Sequence, residues 1–81
     1  MARRRRTVVR LKPLALWDRL ALLHRSQNWL ADELGISRSH LSRLVNGERA
    51  ASSRLRRRMQ RVLGEEDFHE LFFIERHEDG E

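Results

Sequence analysis

The chain is 81 residues long, with 17 basic and 12 acidic residues, a formal net charge of +5 and no cysteine. That length allows one small domain and one compact core, and the missing thiols exclude disulfide frameworks, cysteine–zinc sites and thiol catalysis. Apolar runs such as Leu14-Ala15-Leu16-Trp17 fall far short of the roughly 20 residues a membrane span needs, and the basic N-terminus lacks the apolar stretch of a signal peptide, so a cytoplasmic protein with no membrane partner is expected.

Residues 1–12 read as a basic arm, with Arg3, Arg4, Arg5 and Arg6 consecutive. Thr7 to Leu11 alternates apolar and polar residues, but two alternations do not fix a strand. Pro13 sits where a helix tolerates it, at the first position, and the spacing predicts a helix over 13–26. Leu16, Leu20 and Leu23 fall at i, i+4, i+7; Leu14, Trp17 and Ala21 widen that stripe, which assigns Trp17 to the core. Ser26 caps a second helix, Gln27 to Leu34, closed by Gly35. Ser37 caps a third, Arg38 to about Asn46, closed by Gly47. Ser52 or Ser53 opens a fourth, which Gly64 stops. Leu55, Met59, Val62 and Leu63 give that helix one apolar face, and Arg54, Arg56, Arg57, Arg58 and Arg61 occupy the rest. Glu65-Glu66-Asp67 favours the first turn of a fifth helix through about Phe73, with Phe68, Leu71 and Phe72 on one face. Leu71 to Ile74 also reads as a strand that would pair with Thr7–Leu11; the helix is the favoured reading. His77 to Glu81 is a polar tail.

The net charge hides a split. Residues 1–64 hold 16 basic residues against Asp18, Asp32, Glu33 and Glu48, which is +12. Residues 65–81 hold Arg76 alone against eight acids, which is −7. An asymmetry of this kind points first to nucleic acid as a partner. Two short helices joined by Gly35-Ile36-Ser37 have the helix-turn-helix layout. With Arg38 at 0° and about 100° per residue, Ser42, Asn46, Ser39 and Arg43 fall between about 40° and 140°, while Leu41, Leu44 and Val45 fall between about 240° and 340°. One face is apolar. The other carries Arg, Ser and Asn and no acid. A face that enters a major groove must exclude carboxylates, which would meet phosphate repulsion from both sides. Arg can fork onto guanine O6 and N7, worth roughly 1–3 kcal/mol of base discrimination.

The stretch from Gln27 to Gly47 resembles the helix-turn-helix of the lambda-repressor-like (Cro, phage-repressor and xenobiotic-response-element) family. Counting Gln27 as first, that family has a small residue fifth and glycine ninth, here Ala31 and Gly35. Its apolar fourth, eighth, tenth, fifteenth and eighteenth positions are Leu30, Leu34, Ile36, Leu41 and Leu44. The resemblance covers about residues 13–63. It implies a four-helix core and leaves the basic N-terminal arm and the acidic C-terminal tail unexplained; with the fifth helix read above, the expected fold is an all-α domain of four to five helices. The resemblance further implies that Arg38, Ser39, Arg43 and Ser42 reach base edges. Gln27, helped by a helix N-terminus, would hold a phosphate. Asn46, the Gly47 backbone and Arg49 would do the same after the recognition helix, with His40 a phosphate neighbour or simply exposed. Glu48 departs from the family, which is often basic there.

These readings make the chain a sequence-specific, double-stranded-DNA-binding transcriptional regulator, a repressor of bacterial or phage type acting at the nucleoid. Arg3 to Arg6 would enter a minor groove or remain a solvated tail. Phe68, Leu71, Phe72, Phe73 and Ile74 either build a homodimer or cap the core. The alternative is an antitoxin or accessory protein with the same DNA-binding core, whose segment 65–81 binds a protein partner; that acidic segment could also cover the basic surface. RNA is a weaker fit, because no aromatic stacking surface interleaves the arginines. His24, His40, His69 and His77 form no metal-ligand spacing. No catalytic motif and no cofactor motif appears, so an enzyme is not expected.

Overall fold

The computed structural model describes the backbone of residues 4–79 and the side chains of 6–77. Arg3 lies outside the described residues. The element order is β1 (Arg4–Leu11), α1 (Pro13–Leu22), α2 (Gln27–Leu34), α3 (Arg38–Val45), α4 (Ser53–Leu63), α5 (Phe68–Leu71) and β2 (Phe72–Asp79).

Local chemistry sets the helix ends. The Ser26, Ser37 and Ser52 hydroxyls accept from the amides of Trp29, His40 and Leu55 at 3.0, 3.0 and 3.2 Å, which satisfies donors that an uncapped helix would leave orphaned. Four helices close in the same way: the first or second residue after the helix turns left-handed, and the next amide reaches back to a carbonyl five residues earlier. At α2 this residue is Gly35, with φ +70°, and the Ile36 amide donates to the Ala31 carbonyl at 3.1 Å. α1 uses His24 instead, with φ +56°, and the Arg25 amide donates to Leu20 at 2.9 Å. That left-handed turn is why α1 stops at Leu22 and not near Ser26.

The core is Leu16 and Leu20 from α1, Leu30, Ala31 and Leu34 from α2, Leu41, Leu44 and Val45 from α3, Met59 and Leu63 from α4, then Leu71 and Phe72. Trp17 is not part of it. The indole is 46% exposed and donates from Nε1 to Gln27 Oε1 at 3.0 Å. α1 docks along Leu16 and Leu20, and Trp17 lies about 60° round from Leu20, so the stripe read from spacing was too wide. Leu14 and Ala21 are exposed for the same reason, and Leu23 because α1 ends before it.

The all-α expectation needs correcting. Beside the five helices lies a two-stranded antiparallel sheet, β1 against β2, in register from Leu11↔Phe72 to Arg4↔Asp79. The expected fifth helix through Phe73 ends at Leu71, and Phe72 is extended, at φ −133° and ψ 160°. Phe72-Phe73-Ile74 are strong strand formers, and segment 4–11 supplies the partner. The backbone register sets Arg5 opposite Glu78 and Arg4 opposite Asp79. Residues 4–11 of the segment read as an arm and residues 72–79 of the segment read as a tail thus meet in one ribbon. Its base is fixed where Phe72 is buried and Val9 and Leu11 pack on the core, and where the Lys12 amide donates to the Leu71 carbonyl at 2.8 Å.

Candidate nucleic-acid interface

α2 and α3 cross where Ala31 is fully buried, and any larger side chain there would force them apart. α3 buries Leu41, Leu44 and Val45. Docked this way, α3 leaves Arg38, Ser39, Arg43 and Asn46 exposed and Ser42 half-buried. No acid lies on α3. One acid does approach from outside it: Asp32 Oδ2 stands 3.4 Å from Arg38 Nη2, with both side chains about 60% exposed (61% and 62%). A pair this open is worth roughly 0–1 kcal/mol, so Arg38 can leave it for a stronger acceptor. Sequence spacing did not flag this pair, because the two residues belong to different helices.

Gln27 stands half-buried at the first position of α2. Its Oε1 accepts from Trp17, so its amide NH2 is left as the free end, and that end carries two donors. A phosphate oxygen needs a donor. Arg25 lies beside this helix start, stacked 5.0 Å from the Trp29 ring centre.

The turn after α3 is partly committed to the fold. The Gly47 amide donates to the Leu44 carbonyl at 3.2 Å and the Glu48 amide to Arg43 at 2.9 Å. The Gly47 carbonyl accepts from Arg10 Nη1 at 3.0 Å. Arg10 Nε also donates to Glu75 Oε1 at 3.2 Å, so one guanidinium joins both strands of the ribbon to the end of α3. No pattern along the chain marks Arg10 for this, since its partners lie 37 and 65 residues away. The Asn46, Glu48 and Arg49 side chains remain exposed. Hydrogen bonds from His77 first and Arg10 second hold the Glu75 carboxyl below the usual carboxylate range.

His40 sits apart from the recognition face. It is half-buried and lines a hollow with Gly35, Ile36, Arg54 and Arg58. Of the arginine run, Arg6 is exposed on β1, the backbone of Arg4 and Arg5 belongs to the ribbon, and the side chains of these two lie outside the described residues. Among the described residues no group of three or more His, Asp or Glu side chains is placed to hold a metal ion, and no helix is long and apolar enough to cross a membrane.

A family model described as "Helix-turn-helix" matches residues 18–71, a span that runs from within α1 to the end of α5. No curated protein and no solved structure matches the chain. A match over two-thirds of the sequence, on a chain whose α2, turn and α3 are built as described above, settles the family: the protein belongs to the lambda-repressor-like helix-turn-helix proteins, a family of DNA-binding regulators.

Proposed function

We propose that this protein is a transcriptional repressor of bacterial or phage type, acting at the nucleoid and reading double-stranded DNA with α3 in the major groove. The observation that carries this is the two-faced character of α3: Leu41, Leu44 and Val45 are buried, while Arg38, Ser39, Arg43 and Asn46 are exposed with no acid among them. Arg38, Ser39, Ser42 and Arg43 are the base readers. Gln27, Asn46 and Arg49 hold the flanking phosphates, with His40 and the Gly47 turn at the edge of that contact. Arg3, Arg4, Arg5 and Arg6 add sequence-independent attraction, the last three from β1. Two copies on two half-sites would give the specificity that one small domain lacks.

Selection of bound sequences from a random duplex library tests this. A defined motif should emerge, and Arg43→Ala should lose roughly 1–3 kcal/mol of discrimination at one base position while random-sequence binding changes far less. A library that returns no motif, or an Arg43→Ala loss equal on every sequence, would contradict base reading by α3.

A further inference from the structure

The five arginines of α4 do not surround it evenly. Arg56 is half-buried and donates to the Ala51 carbonyl at 2.6 Å. Arg54, Arg57, Arg58 and Arg61 are exposed and line one shallow hollow of about 390 Å³. Their spacing is i, i+3, i+4, i+7, which places them on one face. Along the axis they extend about 10 Å, at roughly 1.5 Å per residue. The ion pairs among the described residues are Arg10–Glu75, Arg19–Glu65, Arg38–Asp32 and His77–Glu75, so none of these four cations has a carboxylate partner there. Arg58 makes only a long hydrogen bond, 3.5 Å, to the Glu33 carbonyl.

A face kept only for solubility mixes both signs, and α4 has no acid at all. Like charges at these spacings repel and destabilise a helix. Arg54 adds to the cost, because it stands in the first turn, where the helix dipole disfavours a cation. A polyanion on this face would relieve both. Arg54 and Arg58 also line the second hollow, of about 260 Å³, together with Gly35, Ile36 and His40. The stripe therefore continues from the turn of the helix-turn-helix itself. Four successive phosphates of one DNA strand, about 3.4 Å apart along the axis, match its length.

We infer that Arg54, Arg57, Arg58 and Arg61 form a second, sequence-independent DNA surface that grips the sugar–phosphate backbone of the same duplex beyond the segment read by α3. The inference rests on the DNA-binding reading and extends the footprint of the domain along α4.

The experiment compares the full chain with the variant Arg54→Gln/Arg57→Gln/Arg58→Gln/Arg61→Gln, by titrating duplexes at several salt concentrations. The log–log salt slope of the variant should be shallower by about 2 to 4, at roughly 0.9 for each phosphate no longer neutralised. Affinity should fall equally on selected and random sequences, so the selected motif stays. Lengthening the duplex from about one helical turn, ~10 bp, to about two should tighten the wild type and leave the variant unchanged. The corresponding four-lysine variant keeps the charge and should restore the slope; since Lys preserves every cation, recovery excludes a folding defect. An unchanged slope in the glutamine variant would overturn the inference and leave the α3 reading standing. So would a complex in which excess DNA puts two duplexes on one protein through this face, or a stripe that takes up only an acidic protein segment. A wild type that ignores duplex altogether would bring down both.

Discussion

His24 is the residue whose backbone geometry conflicts with its side chain. Gly35, Gly47 and Gly64 take the left-handed conformation that closes α2, α3 and α4, with φ between +66° and +77°, and His24 takes it at α1 with φ +56°. A residue with a Cβ costs about 1–2 kcal/mol there, and glycine avoids that cost. His24→Gly should therefore raise stability by about 1 kcal/mol, which is roughly 4–8 °C in Tm for a domain of this size. A thermal melt with an equal or lower midpoint would mean that the His24 side chain contributes more than its backbone costs. Arg38 and Asp32 give a second test. Asp32→Asn releases Arg38 and removes a carboxylate from the edge of the reading face. Duplex binding at low salt should tighten by a few-fold, equivalent to about 0.5–1 kcal/mol, with Tm nearly unchanged. Weaker binding would show that Asp32 aims Arg38 at its base. The outward set on α3 could be read from spacing alone, because periodicity reports which face of a helix is apolar. The Asp32 pair, the Arg10 anchor and the Trp17–Gln27 bond could not, since each depends on how two elements are set against each other.

At the scale of elements, the serine caps, the left-handed closures and the faces of α2, α3 and α4 were legible because their causes lie within a few residues. The ribbon was legible only as an alternative. A local window sees Phe68, Leu71 and Phe72 at helical spacing; it does not see that segment 4–11 offers backbone partners and opposite charge. An isolated two-stranded ribbon is marginal in water, so this one depends on its ties at Phe72, Lys12 and Arg10. The pairing places residues 72–79 in the ribbon, anchored by the core residues Leu71 and Phe72. Glu75 is where the ribbon senses pH. Its carboxyl is held below the ordinary value, by His77 first and Arg10 second. A depressed carboxylate stabilises the fold above its unfolded-state pKa and loses that contribution as pH falls through the lowered folded-state value. Denaturation midpoints of the wild type and Glu75→Gln should differ most above about pH 4.5, near the ordinary glutamate value, and should converge in more acidic solution. A gap that stayed constant throughout would leave Glu75 no role in the tie.

The whole molecule is small for a sequence reader, and its surface bears on how it could be doubled. Phe73 and Ile74 are 40% and 38% exposed, adjacent on β2, in a ribbon whose two strands pair only with each other. Open strand edges with an exposed apolar side chain on each face of the ribbon invite a second copy. Arg10 ties that same ribbon to the carbonyl of Gly47 at the end of α3, so a dimer joined there would fix the spacing of the two recognition helices. For a two-fold dimer on B-DNA that spacing is about 34–36 Å, one helical turn. Replacing both side chains, Phe73→Ser with Ile74→Thr, should leave the fold intact because neither is buried. It should reduce a dimer mass to a monomer mass in light scattering at micromolar concentration. Affinity for a duplex carrying two half-sites should fall at least about tenfold, a loss of roughly 1.4 kcal/mol or more, while affinity for a single half-site holds. The last comparison decides the point: equal losses on one and two half-sites would make Phe73 and Ile74 supports of the α3 surface, and a monomeric wild type would leave the ribbon no part in doubling the reader.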